Sequence, residues 1–449
     1  MKIVKRNIIL IIFLLLLINF LSCKFIEKQY LSEEDEYEDE ITTITSDNED
    51  DLRDALLILE KFGGIIYINT PVINIKKQTS LSIKGSIQGG IVGIEQENGE
   101  YPSLNFKEQR DTSTATDYIA GLLITGSNKL FQNLIIENAG TNGIDVSGQK
   151  NHFNHIITRY NGQSGVYLSP GSDANSFIYV YSYRNFHFLD NNLTGDGFTV
   201  RVGGNHNIFN FCFAWDNSQN GFGYHFDDNI HKNGTLTYTY CASWNNGNMD
   251  VFSGRYDFTN RKELDKNLWT IQQIIKSDET FEDNYNNRYF DINGASINSK
   301  PAVEYFSDYE NLNEKEGNGN GFTLGHEKNE QSPLNIRAFD YSVAFDNKLK
   351  GYNNNKSQKF TGYVTNSVGF NNKMNYELPY TISKWSNNWG WGSKEDDKFD
   401  SDLIVKQPRD TKSAQKTFYN TRDQIIAAVN ANTFPDNINF ERNIKGLTE

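Results

Sequence analysis

Proline and cysteine are both scarce in this chain: its 449 residues include 8 of the first and 3 of the second, against 35 glycines. Few prolines, many glycines and abundant asparagine describe a chain of many turns and few long helices. No zinc spacing is present, no glycine-rich phosphate loop opens a helix, and no Gly-x-Ser-x-Gly elbow occurs, so those three chemistries have no footing in the sequence. Basic residues are in deficit as well, 43 against 57 acidic ones, for a net charge of −14. That balance argues against a nucleic-acid partner. It would also repel an acidic polysaccharide unless a bound cation or a local basic patch served the cleft.

Lys2, Lys5 and Arg6 precede an apolar run from Ile8 to Leu21, and Phe20-Leu21-Ser22-Cys23 is a loose form of the bacterial lipoprotein signal, with Cys23 as the lipidated residue. The run is short for a spanning helix, which weighs against an anchor helix; an ordinary signal peptide is the other reading. Residues 1–22 are then a cleaved leader, and the product is three charges more negative than −14 because only basic residues are lost. Residues 23–45 read as an acidic tether, since Ser32 to Glu40 carry seven acids and no base. The expectation is an exported lipoprotein of the cell envelope or cell surface, attached to the membrane through Cys23, with residues 46–449 forming one domain.

Within that domain Asp196-Gly197-Phe198 and Asn220-Gly221-Phe222 each open an alternating run such as Phe198, Val200, Val202. Gly143, Gly165, Gly197 and Gly221 start equivalent segments at spacings of 22, 32 and 24 residues, and ITRYNG, FAWDNS, ASWNNG, VAFDNK and VGFNNK close them. Repeats of this length with strand character predict an all-β protein, a right-handed parallel β-helix with helical caps, explicit from Gly121 to Asn372. Asparagine after the closing aromatic suits a turn in left-handed backbone and a side-chain ladder. Cys212 and Cys241 fall at equivalent points of successive coils. Stacking would permit a disulfide, but two inward, unpaired thiols are the expectation.

A helix is predicted from Ser46 to Phe62, with a capping box of Ser46 and Glu49, Leu52, Leu56 and Leu59 on one face and Gly63 as its stop. It would plug the open end of the solenoid. The repeat is interrupted over 258–316, where ELDKNLWTIQQIIK has helical spacing. KWSNNWGWGS offers three tryptophans, either to stack on sugar or to pack as a satellite cluster. A second capping box, Thr421 and Gln424, predicts a C-terminal helix from Thr421 to Ala431.

On the stretch DGF…CFAW…NGF and the later GNGNGFTLG, the chain resembles the pectate lyases of polysaccharide lyase family nine, over roughly Thr141 to Asn372. The resemblance implies a parallel β-helix and β-elimination on an acidic polysaccharide. It also implies calcium held by the Asp of the DGF motif with a following cluster of three Asp, and a Lys base in a later Asn-Gly-Phe-Lys motif. Asp196 matches the first calcium ligand, but the cluster reads Gln219-Asn220-Gly221-Phe222-Gly223 and the base position is Thr323. Asp196 with two amides would make a weak calcium site at best. Thr323 is no proton acceptor at neutral pH, so it remains a substrate contact. Asp227 or Asp228 could supply a further carboxylate.

Eliminating across a uronate glycosidic bond removes a weakly acidic proton beside a carboxylate, which needs a stabilising cation and a base. Arg201, five residues after Asp196 and on the outer face by alternation, is the candidate for either base or carboxylate contact. His225 and His326 follow coil-start motifs and are candidate substrate contacts. Two function classes therefore stand side by side. One is a lyase-like protein acting on acidic polysaccharide, with calcium-dependent turnover of polygalacturonate weak or absent; the other is a non-catalytic carbohydrate-binding or adhesive β-helix.

Overall fold

Alternation along Phe198–Arg201 buries Phe198 and Val200 in the interior, and each strand pairs in parallel with the strand one coil away, so that like residues stack. The computed structural model describes residues 42–112, 119–185, 195–201, 206–225, 234–248, 251, 319–325, 336–354, 361–378, 382–399, 403–435 and 437–447. The leader, nearly all of the acidic tether, the 258–316 insertion with its predicted helix, and His326 lie outside them. Among the described residues the strands form two parallel sheets of ten and nineteen strands, wound as a parallel β-helix.

The polar-Gly-aromatic triplet has a packing explanation in each of its letters. Its aromatic residues Phe198, Phe222, Phe322 and Tyr352 form an interior stack that Tyr376 continues, with centroid steps of 4.6, 4.8, 5.2 and 5.1 Å. Gly221 lies against an inner column of asparagines: a Cβ there would collide with the Ser243 hydroxyl and come 3.0 Å from Asn246 Nδ2. That column, Asn161, Asn185, Asn217, Asn246, Asn347 and Asn372, is fully internal, and from Asn185 onward each amide oxygen accepts from the side-chain amide of the asparagine one coil earlier. The residue before each one sits in left-handed backbone, from Tyr160 through Asp216 to Asn371, with φ between 53° and 58°. A second ladder, Asn151–Asn175–Asn207, serves the opposite turn.

The solenoid is longer than the sequence predicts. Its first strand, Thr42–Ile44, pairs with Gly64–Ile68, and its last, Val405–Lys406, pairs with Asn388–Trp391, well outside Gly121–Asn372. The outer coils lack the glycine-aromatic triplet and so carry no repeat signal.

Helix α1 (Glu49–Phe62) sets Leu52, Leu56 and Leu59 into the main core and stops at Gly63, φ 83°. Its cap differs from the predicted box. Asn48 caps it by accepting from the Asp50 N–H (3.1 Å), while Ser46 donates to Asp51 (2.6 Å). Glu49 is drawn away because its carboxylate accepts from the Lys76 and Lys77 N–H groups and pairs with Arg53 (2.6 Å). A short helix, α2 (Lys107–Thr112), lies between strands Ser103–Asn105 and Leu122–Ile124.

At the other end α3 (Thr411–Asn430) begins ten residues before the predicted Thr421, because Asp410 accepts from the Lys412 and Ser413 N–H groups (both 3.1 Å) and satisfies the first turn. Thr421 is mid-helix and donates to the Thr417 carbonyl (3.3 Å). With α4 (Glu441–Gly446), α3 lies along the flank of the solenoid. It covers an outer aromatic stack, Tyr183–Trp215–Trp244–Phe345–Phe370–Trp391. Trp389 and Trp391 are thus buried in a satellite cluster rather than offered to sugar. Cys212 and Cys241 are free, buried thiols in the core, as expected.

Candidate functional site

The outer face of the ten-stranded sheet is the surface on which the sequence candidates converge. Counting outward-pointing residues by register gives the column Asp145, Tyr167, Thr199, Gly223 and, further along, Thr323, Asn353 and Glu377. Arg201 and His225 are register neighbours in the next column. Arg201 is half-buried, its guanidinium lies 5.7 Å from the centroid of the Tyr167 ring, and its Nε is buried with no hydrogen-bond partner. Gly223, in register with Thr199, contributes no side chain to the column and is buried. Thr323 is 9% exposed and its hydroxyl likewise has no partner. An orphaned buried donor or acceptor costs about 1–3 kcal/mol, and this face carries two of the orphaned side-chain atoms found among the described residues, Arg201 Nε and the Thr323 hydroxyl.

The predicted metal residues form a hydrogen-bonded ladder at the coil starts. Asp196 Oδ1 accepts from the Asn220 backbone N–H (2.9 Å) and side-chain amide (3.0 Å), and its Oδ2 accepts from the Thr199 hydroxyl (2.9 Å). Asn220 Oδ1 in turn accepts from the Asn320 side-chain amide (3.0 Å). Gln219 contributes a buried amide oxygen with no partner. One carboxylate with both oxygens engaged, plus amides, does not match the roughly six to eight hard oxygens that calcium takes, so these residues do not fit the ion. Asp227 and Asp228 lie outside the described residues. Among the described residues no cluster of three or more His, Cys, Asp or Glu is placed to hold a metal.

Sequence reasoning missed five residues of this face, Asp145, Tyr167, Glu377, Lys350 and Lys398. Asp145 is 5% exposed; burial pushes its carboxyl up, opposed by hydrogen bonds from Ser169 (2.7 Å) and Asn142 (3.3 Å). Tyr167 supplies the ring under Arg201. Glu377 pairs with Lys350 and lies 3.8 Å from Lys398. The signal that finds them is positional: each except Lys350 and Lys398 directly follows the inward residue that stacks in its coil. His326 is outside the described residues; of the rest, Asp196, Gln219 and Asn220 lie at the coil starts, Asp196 and Asn220 joined by hydrogen bonds, while Arg201, Thr323 and the backbone of His225 lie along the strands of the ten-stranded sheet, with no contact shown between the two groups among the described residues.

A parallel β-helix with a polar, arginine-bearing outer sheet is the class these features define. The chain belongs to the family described as Pel9A-like, right handed beta helix region, whose profile matches residues 30–258. It is similar to pectate lyase L of Dickeya chrysanthemi, at 27% identity over 259 residues covering 57% of this chain and 44% of that one. Pectate lyase L of Paenibacillus polymyxa is 26% identical over 226 residues, 48% of each chain. The chain therefore spans less than half the length of the curated relatives it matches. Among solved structures, pectate lyase Pel9A aligns with a TM-score of 0.53 at 19% identity, covering 79% of this chain and 74% of that one. A rhamnogalacturonan lyase aligns at 0.50 and 16% identity, covering 77% and 79%. These two likenesses establish the fold.

Proposed function

We propose that this protein is an exported, lipid-anchored β-helix that acts on an acidic polysaccharide along the outer face of the ten-stranded sheet, with Arg201 as the principal contact to a uronate carboxylate. The observation that carries the reading is Arg201 itself, half-buried over Tyr167 with an unpartnered Nε. A guanidinium offers a carboxylate a planar, bidentate fork and does so more strongly where water is scarce. The names of the relatives, pectate lyases, point to the same substrate class.

The reaction proposed is β-elimination. Water, in place of the family's lysine, takes the proton beside the carboxylate, the electron pair of that C–H bond becomes the ring double bond, and the glycosidic C–O bond breaks with its electrons leaving on oxygen, which takes a proton from solvent. Charge that gathers on the carboxylate side is where the Arg201 guanidinium acts, as a fixed cation. Since Thr323 replaces the family's lysine and Asp196 is engaged in hydrogen bonds, turnover is slow and owes little to calcium. Loss of a positioned base alone lowers a rate by on the order of a hundred- to ten-thousand-fold. Binding without turnover is the second reading, favoured by the same engaged Asp196 oxygens.

The test is to incubate the purified protein with polygalacturonate and with rhamnogalacturonan, with and without calcium, and to follow unsaturated uronate by ultraviolet absorbance. Slow, calcium-insensitive product formation that disappears in Arg201→Ala supports the lyase reading. Tight binding with no product supports the second reading, and neither binding nor product removes both. For the anchor, Cys23→Ala should move the protein from the membrane fraction to the soluble one.

A further inference from the structure

Helix α1 turns Leu52, Leu56 and Leu59 into the core at the N-terminal end of the solenoid, yet apolar side chains also stand on its other side. Leu57 is 64% exposed, Phe62 is 59% exposed and Ile87, between strands Leu81–Ile83 and Gly89–Gly93, is 46% exposed. These are three of the six large apolar side chains exposed among the described residues. They are also neighbours. Leu57 and Lys61 are one helical turn apart, Lys61 Nζ lies 4.6 Å from the centroid of the Phe62 ring, and a Cβ on Gly63 would come 2.7 Å from Ile87 Cγ2. Single exposed apolar residues need no explanation, whereas a contiguous group of them marks a contact surface.

The surface is held in shape. The Asn128 side-chain amide donates to the Ser86 carbonyl (3.1 Å) and the buried Lys129 ammonium donates to the Ile87 carbonyl, while a Cβ on Gly85 would come 3.3 Å from the Glu60 carbonyl oxygen. The segment carrying Ile87 is therefore pinned beside the C-terminal half of α1. Charges around it cancel, with Lys61 and Lys84 against Asp54 and Glu60, and at the other end of α1 Asp50 is paired with Lys77. On a protein of net charge −14 such a surface attracts no charged partner, and what it offers is apolar area.

We infer that this end of the solenoid rests on the lipid bilayer, with Leu57, Phe62 and Ile87 in the interfacial layer and the Lys61 stem alongside them. The inference builds on the lipid-anchored reading and adds which surface meets the membrane. Thr42 follows Cys23 by nineteen residues, a covalent reach of at most about 65 Å, and strand Thr42–Ile44 pairs with Gly64–Ile68, the strand that begins directly after α1 and Gly63. The chain thus enters the domain at the same end that carries the patch. A tethered contact needs little affinity of its own, because the tether keeps the local lipid concentration high. Interfacial binding of this kind scales with buried apolar area. With that end down, the outer face of the ten-stranded sheet stays clear of lipid and open to polysaccharide.

The test uses lipidated protein reconstituted on phosphatidylcholine vesicles, with a fluorophore attached in turn at Phe62→Cys, Ile87→Cys and Ile404→Cys. Cys212 and Cys241 are buried and stay unlabelled in the folded protein, and Ile404 is an exposed control beside the last strand. Nitroxide carried on the lipid chains should quench the labels at 62 and 87 and spare the one at 404. A second measurement uses the full chain with Cys23→Ala, where Leu57→Ser/Phe62→Ser should weaken vesicle binding roughly tenfold, by an amount that added salt leaves unchanged. Equal quenching at all three positions, or none at 62 and 87 while the protein stays on the vesicles, overturns the inference and leaves the anchor in place. Vesicle binding that the serine pair does not alter, or that requires anionic lipid, overturns it as well. A dimer of the Cys23→Ala protein that the serine pair dissociates assigns the patch to a second copy instead, and lipidated protein that does not stay on vesicles defeats the anchored reading itself.

Discussion

Single residues in this fold are constrained mainly by what stacks above and below them. Gly221 is the sharpest case, because its α-carbon rests on Ser243 and Asn246 of the interior. Gly221→Ala should destabilise by about 1–3 kcal/mol as an overpacking change, read as a lower denaturation midpoint; adding Ser243→Gly should recover part of it, and no recovery would show the strain lies elsewhere. Asp145 makes a pH-dependent case. Burial raises its folded-state pKa above the unfolded value of about 3.9, so its contribution is fully present below that value and is lost as pH rises through the raised pKa. Compared with Asp145→Asn, the native protein should therefore lose ground in melting temperature as pH rises above about 4. A gap that stays constant with pH would mean that the carboxyl is not shifted.

At the scale of elements, two features were legible in the chain and one was not. The triplets Asp196-Gly197-Phe198 and Asn220-Gly221-Phe222 announce coil starts because three separate packing demands fall on three adjacent residues. The closing pairs such as Asp216-Asn217 announce the turn because one residue takes left-handed backbone and the next joins the buried ladder. The long α3 was hidden: between Thr411 and Asn420 its only buried residue is Phe418, so no apolar period reveals the first three turns. Nor could the sequence say that α3 and α4 would cover the outer aromatic stack. Phe440 is the pin of that contact, 2% exposed and 5.8–5.9 Å from the rings of Phe213, Trp244, Phe345 and Phe418. Phe440→Ala should cost about 3–5 kcal/mol locally. The expected readout is a red-shifted tryptophan emission as Trp244 and its neighbours meet water, with the β-sheet circular dichroism retained. Unchanged emission would show that the helices do not seal the stack.

Taken as a whole molecule, the protein is held together by repetition along its axis, and that bears on the metal. Each coil is tied to the next by stacked rings and by asparagine ladders whose links are side-chain hydrogen bonds. The Asp196–Asn220–Asn320 ladder belongs to the same system, so the residues that would hold calcium by resemblance already serve to join three coils. The sequence disclosed the substitutions of ligand and base, but not this engagement, since a hydrogen bond from Thr199 to Asp196 depends on a register that only stacking defines. A ligand that binds the folded state at a hundred times its dissociation constant adds about 2.7 kcal/mol, an easily measured rise in melting temperature. Here the expectation is that millimolar calcium and excess chelator give the same melting temperature and the same affinity for polygalacturonate. A rise with calcium that Asp196→Asn abolishes would show that Asp196 exchanges its Asn220 and Thr199 partners for the ion, and would return the site to a calcium-dependent one.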